Sequence, residues 1–192
     1  MAWLVLGLVL FLGVHSVRVF ADGWRSRTIA QMGEMPWKGL YTLASIVGLA
    51  LVVWGFGQAR AQPVQVWAPP MGLRHLASLL TLLAFILIAA AYVPGNHFKA
   101  RFGHPMVLGV KTWALAHVLA NGNLAHLVLF GAFLAWSVML FVASRRRDRL
   151  AGTVYPAGRA GATVGTVVAG VIGWAAFAFW LHGLLIGIRP IG

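Results

Sequence analysis

The chain has 192 residues, 60% of them hydrophobic and only 9% charged, with a formal net charge of +12. That balance excludes an ordinary soluble domain. The absence of cysteine further excludes disulfides, thiolate catalysis, iron–sulfur clusters and covalent haem attachment.

An apolar span needs roughly 20 residues to cross a hydrocarbon core of about 30 Å. Six candidates follow in chain order. The first, Ala2 to Phe20, meets its first charge only at Arg18 and has no basic region before the apolar run. It reads as a retained span rather than a signal peptide. A charged stretch leads to the second, Gly39 to Gly57. The segment around Pro63 to Pro70 separates it from the third, Met71 to Val93. The loop "PGNHFKARFGHP" precedes the fourth, Pro105 to Ala120, which is the shortest and most polar. The fifth, Leu124 to Ala143, runs into "SRRRDR". The sixth, Gly161 to Ile188, contains "GATVG" and "GLLIG", pairs of small residues that permit close helix contact within the chain or in a homo-oligomer. The connections leave no room for a soluble catalytic domain. The expected fold class is all-α: one polytopic membrane helix bundle of about six transmembrane helices over residues 1–192.

With an outer N-terminus, the inner loops hold Arg25, Arg27, Lys38, Lys99, Arg101, Arg145, Arg146, Arg147, Arg149 and Arg159, and the outer ones only Arg60, Arg74 and Arg189. This is a positive-inside pattern, and it places the basic run against anionic lipid headgroups. No soluble fold presents a basic face, so nucleic acid is not an expected partner. Trp3, Trp24, Trp37 and Trp67 fall near the expected interfaces and read as belt anchors.

Asp22, Glu34 and Asp148 are the three acidic side chains, and all fall in expected inner loops. Di-iron carboxylate bundles, carboxylate proton relays and paired-acid hydrolases need acids inside the bundle. Ser16 or Ser45 as a nucleophile would lack an acid to orient a histidine base. Histidine is left, with Lys111 and Arg18 beside it.

Seven histidines sort by depth. His15, His97 and His104 lie toward the inner side, and His75, His126 and His182 toward the outer. His117 lies between them. At about 1.5 Å per residue, His15 comes about 20 Å below the outer face and His117 about 18 Å above the inner one, so their depths differ by roughly 8 Å. Helical side chains lean toward their own N-termini, so these two imidazoles on antiparallel spans lean toward each other. If their helices are neighbours, a planar cofactor fits between them. Imidazole suits haem iron, zinc or copper.

On the fourth span His104, Leu108, Lys111 and Leu115 share one side, and Val110, Trp113, His117 and Asn121 another. Asn121 is a candidate outer partner fixing the His117 ring. Lys111 lies within snorkelling reach of the inner headgroups or of an anionic ligand group. The simpler account of any span histidine is a hydrogen bond across helices, and of one at a span end, contact with water or headgroups. That account is preferred for His75, His97, His126 and His182.

"VHSVR" in the first span and "FGHPMVLGVKTWALAHVLANGNLAHLVLFGAFLAW" in the fourth and fifth resemble the NnrU family of bacterial membrane proteins. That family is associated with expression of nitrite and nitric oxide reductases in denitrifying bacteria. It is related to the plant 15-cis-zeta-carotene isomerase, a membrane protein with non-covalent haem b. The isomerase is similar at His15 with Ser16, at His104 with Pro105, and at Ala116 with His117. The resemblance implies haem b ligated by His15 and His117 in a bacterial inner membrane, with nitric oxide or a lipophilic polyene as the small-molecule partner. Where the isomerase has a cysteine shortly before the second ligand, this chain has Ala114, so a ligand switch through a thiol is unavailable.

"HPMVLG" also resembles isoprenylcysteine carboxyl methyltransferases. Phe102 and Gly103 replace the expected arginine, Val107 replaces the tyrosine, and the paired glutamates are missing. The expectation is therefore a haem b membrane protein, with His15 and His117 as iron ligands and His104, Lys111 and Asn121 in the cofactor's surroundings. Its activity is either a denitrification accessory role or polyene isomerisation, and no catalytic residue is assigned. A cofactor-free accessory or assembly factor explains the same hydropathy, and a methyltransferase-like enzyme is the more distant alternative.

Overall fold

The computed structural model describes residues 1–190, and within them the chain is helical. The elements are α1 (Ala2–Phe20), α2 (Asp22–Met32), α3 (Glu34–Ala61), α4 (Met71–Tyr92), α5 (His97–Phe102), α6 (Pro105–Ala120), α7 (Leu124–Leu150), α8 (Ala160–Ala176), a π-helical turn (Phe177–Leu181) and α9 (His182–Ile186). Among the described residues the one β-type pairing is an isolated antiparallel bridge between Gln65 and Asn123.

Five helical segments are long and apolar enough to cross a membrane: α1, α3, α4, α7 and the continuous stretch from α8 to α9. The fourth expected span, α6, has 16 residues and reaches about 24 Å, short of the hydrocarbon core. The chain is a polytopic helical membrane protein. Helices extend beyond the apolar windows read from sequence. The 28 residues of α3 make a rod of about 42 Å, which starts at Glu34 rather than Gly39. The stretch before it holds the polar helix α2.

The chain divides into two compact units. The first comprises residues 1–68 and 122–136, and the second residues 69–121 and 137–192. Helix α7 contributes its first half to one and its second half to the other.

In the first unit α1 and α3 pair antiparallel through glycine. A methyl group added at Gly55 would overlap the backbone of Trp3 and Leu4, one at Gly48 that of Phe11, and one at Gly7 that of Leu51 and Val52. Gly48 and Gly55 are seven residues apart and so share one face of α3. Between helices in lipid there is little hydrophobic drive, so close backbone approach supplies the dispersion contacts instead. The "GATVG" pair behaves differently. Gly161 and Gly165 have nothing within 4 Å of an added methyl group, and in "GLLIG" Gly187 has φ +80° and ends α9 as a left-handed cap.

In the second unit α4 packs against α6 at Gly109, beside Ala84 and Ile88, and against α8 at Gly170, beside Ile86. Trp174 donates its indole N–H to Thr81 Oγ1 at 3.2 Å. Asn96, 1% exposed, joins two helices. Its Oδ1 accepts from Lys99 N at 2.8 Å and so caps α5, while its Nδ2 donates to Ala90 O in α4 at 2.9 Å.

Candidate functional site

The two histidines expected to hold a cofactor share one local device. His15 Nδ1 lies 2.7 Å from Phe11 O, and His117 Nδ1 lies 2.8 Å from Trp113 O. Each carbonyl is four residues back in the same helix, and a carbonyl can only accept. Nδ1 therefore carries the proton, and in the neutral ring Nε2 keeps the lone pair. Haem iron takes neutral imidazole nitrogen, so the donor set fits. A backbone carbonyl supplies the orienting bond that a bound metal's histidine ordinarily receives from outside.

His15, in the first unit, is half-buried among aromatic rings: Phe11 at 4.3 Å, Tyr41 at 5.3 Å and Trp136 at 6.3 Å between centroids. Next to it, buried Ser16 donates to Leu12 O at 2.7 Å and accepts the Trp136 indole N–H at 3.0 Å. Its hydroxyl is thus engaged with these partners. Ser45 likewise donates to Tyr41 O at 2.7 Å. His117 belongs to the second unit, with its ring 5.1 Å from that of Trp113. Asn121 donates its amide to the His117 backbone carbonyl at 2.8 Å, so the bond oriented on the ring itself comes from Trp113. Lys111 holds its ammonium 5.7 Å from the centre of the Phe141 ring, within cation–π range. Among the described residues no three His, Asp or Glu side chains group to hold a metal ion.

The acids are not in loops. Asp22 and Glu34 open α2 and α3 and pair with Arg25 and Lys38 at 3.5 and 2.8 Å. Asp148 lies inside α7, whose helix persists through the basic run. Its Oδ2 gathers His104 Nε2 at 2.9 Å, the Tyr155 hydroxyl at 2.9 Å and Arg145 Nη1 at 3.3 Å. His104, expected as a motif residue of the cofactor's surroundings, is thus committed to a carboxylate, and Pro105 behind it starts α6. Tyr155 packs over Gly103, whose φ of +72° and lack of a Cβ make room for the ring. Loss of hydration raises the Tyr155 phenol above its ordinary value, and the bond to Asp148 and its negative charge add to that rise. The signal that could have revealed this cluster is a single acid, Asp148, set among Arg145, Arg146, Arg147 and Arg149, which needs a reason to be there.

His97, exposed, lies with Nδ1 2.7 Å from Thr163 Oγ1, which also accepts the His97 backbone N–H at 3.0 Å. His182 Nδ1 lies 2.6 Å from Ile188 O, and His75 is exposed. His126 stands apart, because its Nδ1 is buried without a hydrogen-bond partner.

A family model described as NnrU protein matches residues 3–190, and the chain belongs to the NnrU family. No curated protein and no solved structure is detectably similar to it.

Proposed function

We propose that this NnrU-family protein is a b-type haem protein of the bacterial inner membrane, with its N-terminus outside, serving denitrification through the expression or activity of nitrite and nitric oxide reductases. The observation that carries the reading is the shared bond of His15 and His117, each with Nδ1 donating to a carbonyl of its own helix, the tautomer whose Nε2 bears the lone pair. The excess of Lys and Arg in the expected inner loops supports the orientation.

In this reading His15 and His117 would each supply Nε2 to the iron. The Phe11 and Trp113 carbonyls keep each ring from rotating or changing tautomer. Phe11, Tyr41 and Trp136 shield His15 from water, and Lys111 offers a cation to a propionate. A bound haem supplies an iron centre for a diatomic gas or for one-electron chemistry. A second reading, isomerisation of a lipophilic polyene, is favoured by the same two histidines, since they are the positions that resemble the carotene isomerase.

The test is an absorption spectrum of protein expressed with ample haem, before and after dithionite. A Soret band with b-type reduced bands is expected, and it should be lost in both His15→Ala and His117→Ala while membrane insertion persists. Full haem retention by both variants overturns the ligand pair. Absence of a Soret band, with no uptake on titration, replaces the reading with a cofactor-free accessory. Given haem, nitric oxide binding without polyene turnover separates the two activities.

A further inference from the structure

His126 differs from the two histidines discussed above in one bond. For it the carbonyl four residues back is Gly122 O, which already accepts Val66 N at 2.8 Å and Trp67 N at 3.2 Å. That pairing is held by Leu124 N donating to Val64 O at 2.8 Å and by the Gln65–Asn123 bridge. Gly122 is needed there, because any Cβ would collide with the Trp67 carbonyl. The tertiary pairing of residues 64–67 with 122–124 thus occupies both lone pairs of the oxygen that would have fixed the ring. His126 Nδ1 is left buried and unbonded.

The ring lies in an aromatic setting. Phe56 of α3 meets it edge-on, 5.0 Å between centroids, and Phe130 of α7 lies at 6.2 Å. The Arg60 guanidinium sits 5.3 Å from the centre of the Phe56 ring. All of these residues belong to the first unit, where the end of α3 and the start of α7 bring them together. A buried polar nitrogen in a membrane protein is costly unless something bonds to it. Phe56 and Phe130 offer it no hydrogen bond. A ligand that bonds this nitrogen must enter among the aromatic rings, which suits an apolar body carrying a polar atom.

We propose that His126 binds the oxygenated ring of a membrane-soluble quinone or quinol in this corner of the first unit. An imidazole whose tautomer is fixed can serve only one of these two forms at a given nitrogen. The unfixed ring of His126 can donate from Nδ1–H to a quinone carbonyl, or accept at the Nδ1 lone pair from a quinol hydroxyl. Phe56 and Phe130 offer faces and edges to a flat ring. The Arg60 charge favours an oxygen bearing partial negative charge. The proposal concerns binding, and it does not depend on whether His15 and His117 hold haem.

Full-length protein in nanodiscs is titrated with decylubiquinone and, separately, with its reduced quinol, following quenching of tryptophan fluorescence. Saturable binding of both forms is expected. His126→Phe should weaken it roughly tenfold or more, the loss of one hydrogen bond to a buried partner, and His126→Gln should restore part of it. Because the Phe variant could fail to fold, the unsubstituted protein labelled with 15N-histidine supplies a second reading: one buried Nδ1 resonance should move on adding either form. Non-saturable partitioning overturns the proposal. So does equal binding by a folded His126→Phe variant, or an unmoved resonance, which would leave a trapped water as the nitrogen's partner.

Discussion

The α1–α3 pair of the first unit and the α5 end of the second solve the same problem by opposite means. In α1–α3 the helices touch backbone to backbone at Gly7, Gly48 and Gly55, and the main polar side chain buried there, Ser16, turns back on its own helix. Around α5 the chain is held by side-chain bonds: Asn96 to α4, His97 to Thr163, and His104 with Tyr155 and Arg145 to Asp148. The difference follows the surroundings. Lipid tails are as apolar as leucine, so a helix pair gains from closeness rather than from burial, and polar bonds there are few. Helix ends leave the hydrocarbon, carry unmet backbone groups and meet loops, so polar side chains stitch them together.

Three substitutions test these two modes of contact. The largest effect is expected from Gly55→Leu, which forces a side chain into the backbone of Trp3 and Leu4. Overpacking of this kind costs about 1–3 kcal/mol, and more where backbone is the obstacle. Thermal unfolding in detergent should show a marked fall in midpoint, whereas Gly165→Leu, in open space, should be near neutral. Equal effects at the two glycines would mean that close approach does not hold α1 to α3.

Next comes Asp148→Ala, which strips His104, Tyr155 and Arg145 of a common acceptor. The loss is about 1–2 kcal/mol, because the groups are only partly buried and water takes over some of the bonding. Limited proteolysis between α7 and α8 should quicken, with Asp148→Asn falling between the variant and the parent. If cleavage is unchanged, the cluster does not hold the loop. The smallest is Thr163→Val, which removes an exposed acceptor from His97 and should cost under about 1 kcal/mol. Amide exchange at His97 is the sensitive measure, and a global loss of stability there would contradict the local role.

Much of the architecture was legible in the sequence, because a membrane demands long apolar segments and the chain supplies them in order. Span positions, the marginal length of α6 and the interest of His15 and His117 all come from composition and helical spacing. The orienting bonds of those two histidines are local as well, since each partner is four residues away on the same helix. Within the chain, the glycines that meet a neighbouring backbone are not those of "GATVG". A G-x-x-x-G spacing marks where helices can approach, but which glycines meet a neighbour depends on which helices pair, and the useful ones in α3 lie at Gly48 and Gly55. The acids were misread for a related reason. Hydropathy ends a span where charge begins, yet α7 keeps its backbone bonds through "SRRRDR" and carries Asp148 to His104.

The amino-acid sequence alone sufficed to make this a polytopic helical membrane protein of the NnrU family. The hydrogen-bond partners of the histidines divide by distance along the chain. The bond at His15 or His117 is set by residues one turn away, which a linear sequence displays. The fates of His104 and His126 are set by residues some forty to sixty positions away, Asp148 for one and the strap at 64–67 for the other. Contacts at that separation arise only when the chain folds back on itself, and no local spacing records them.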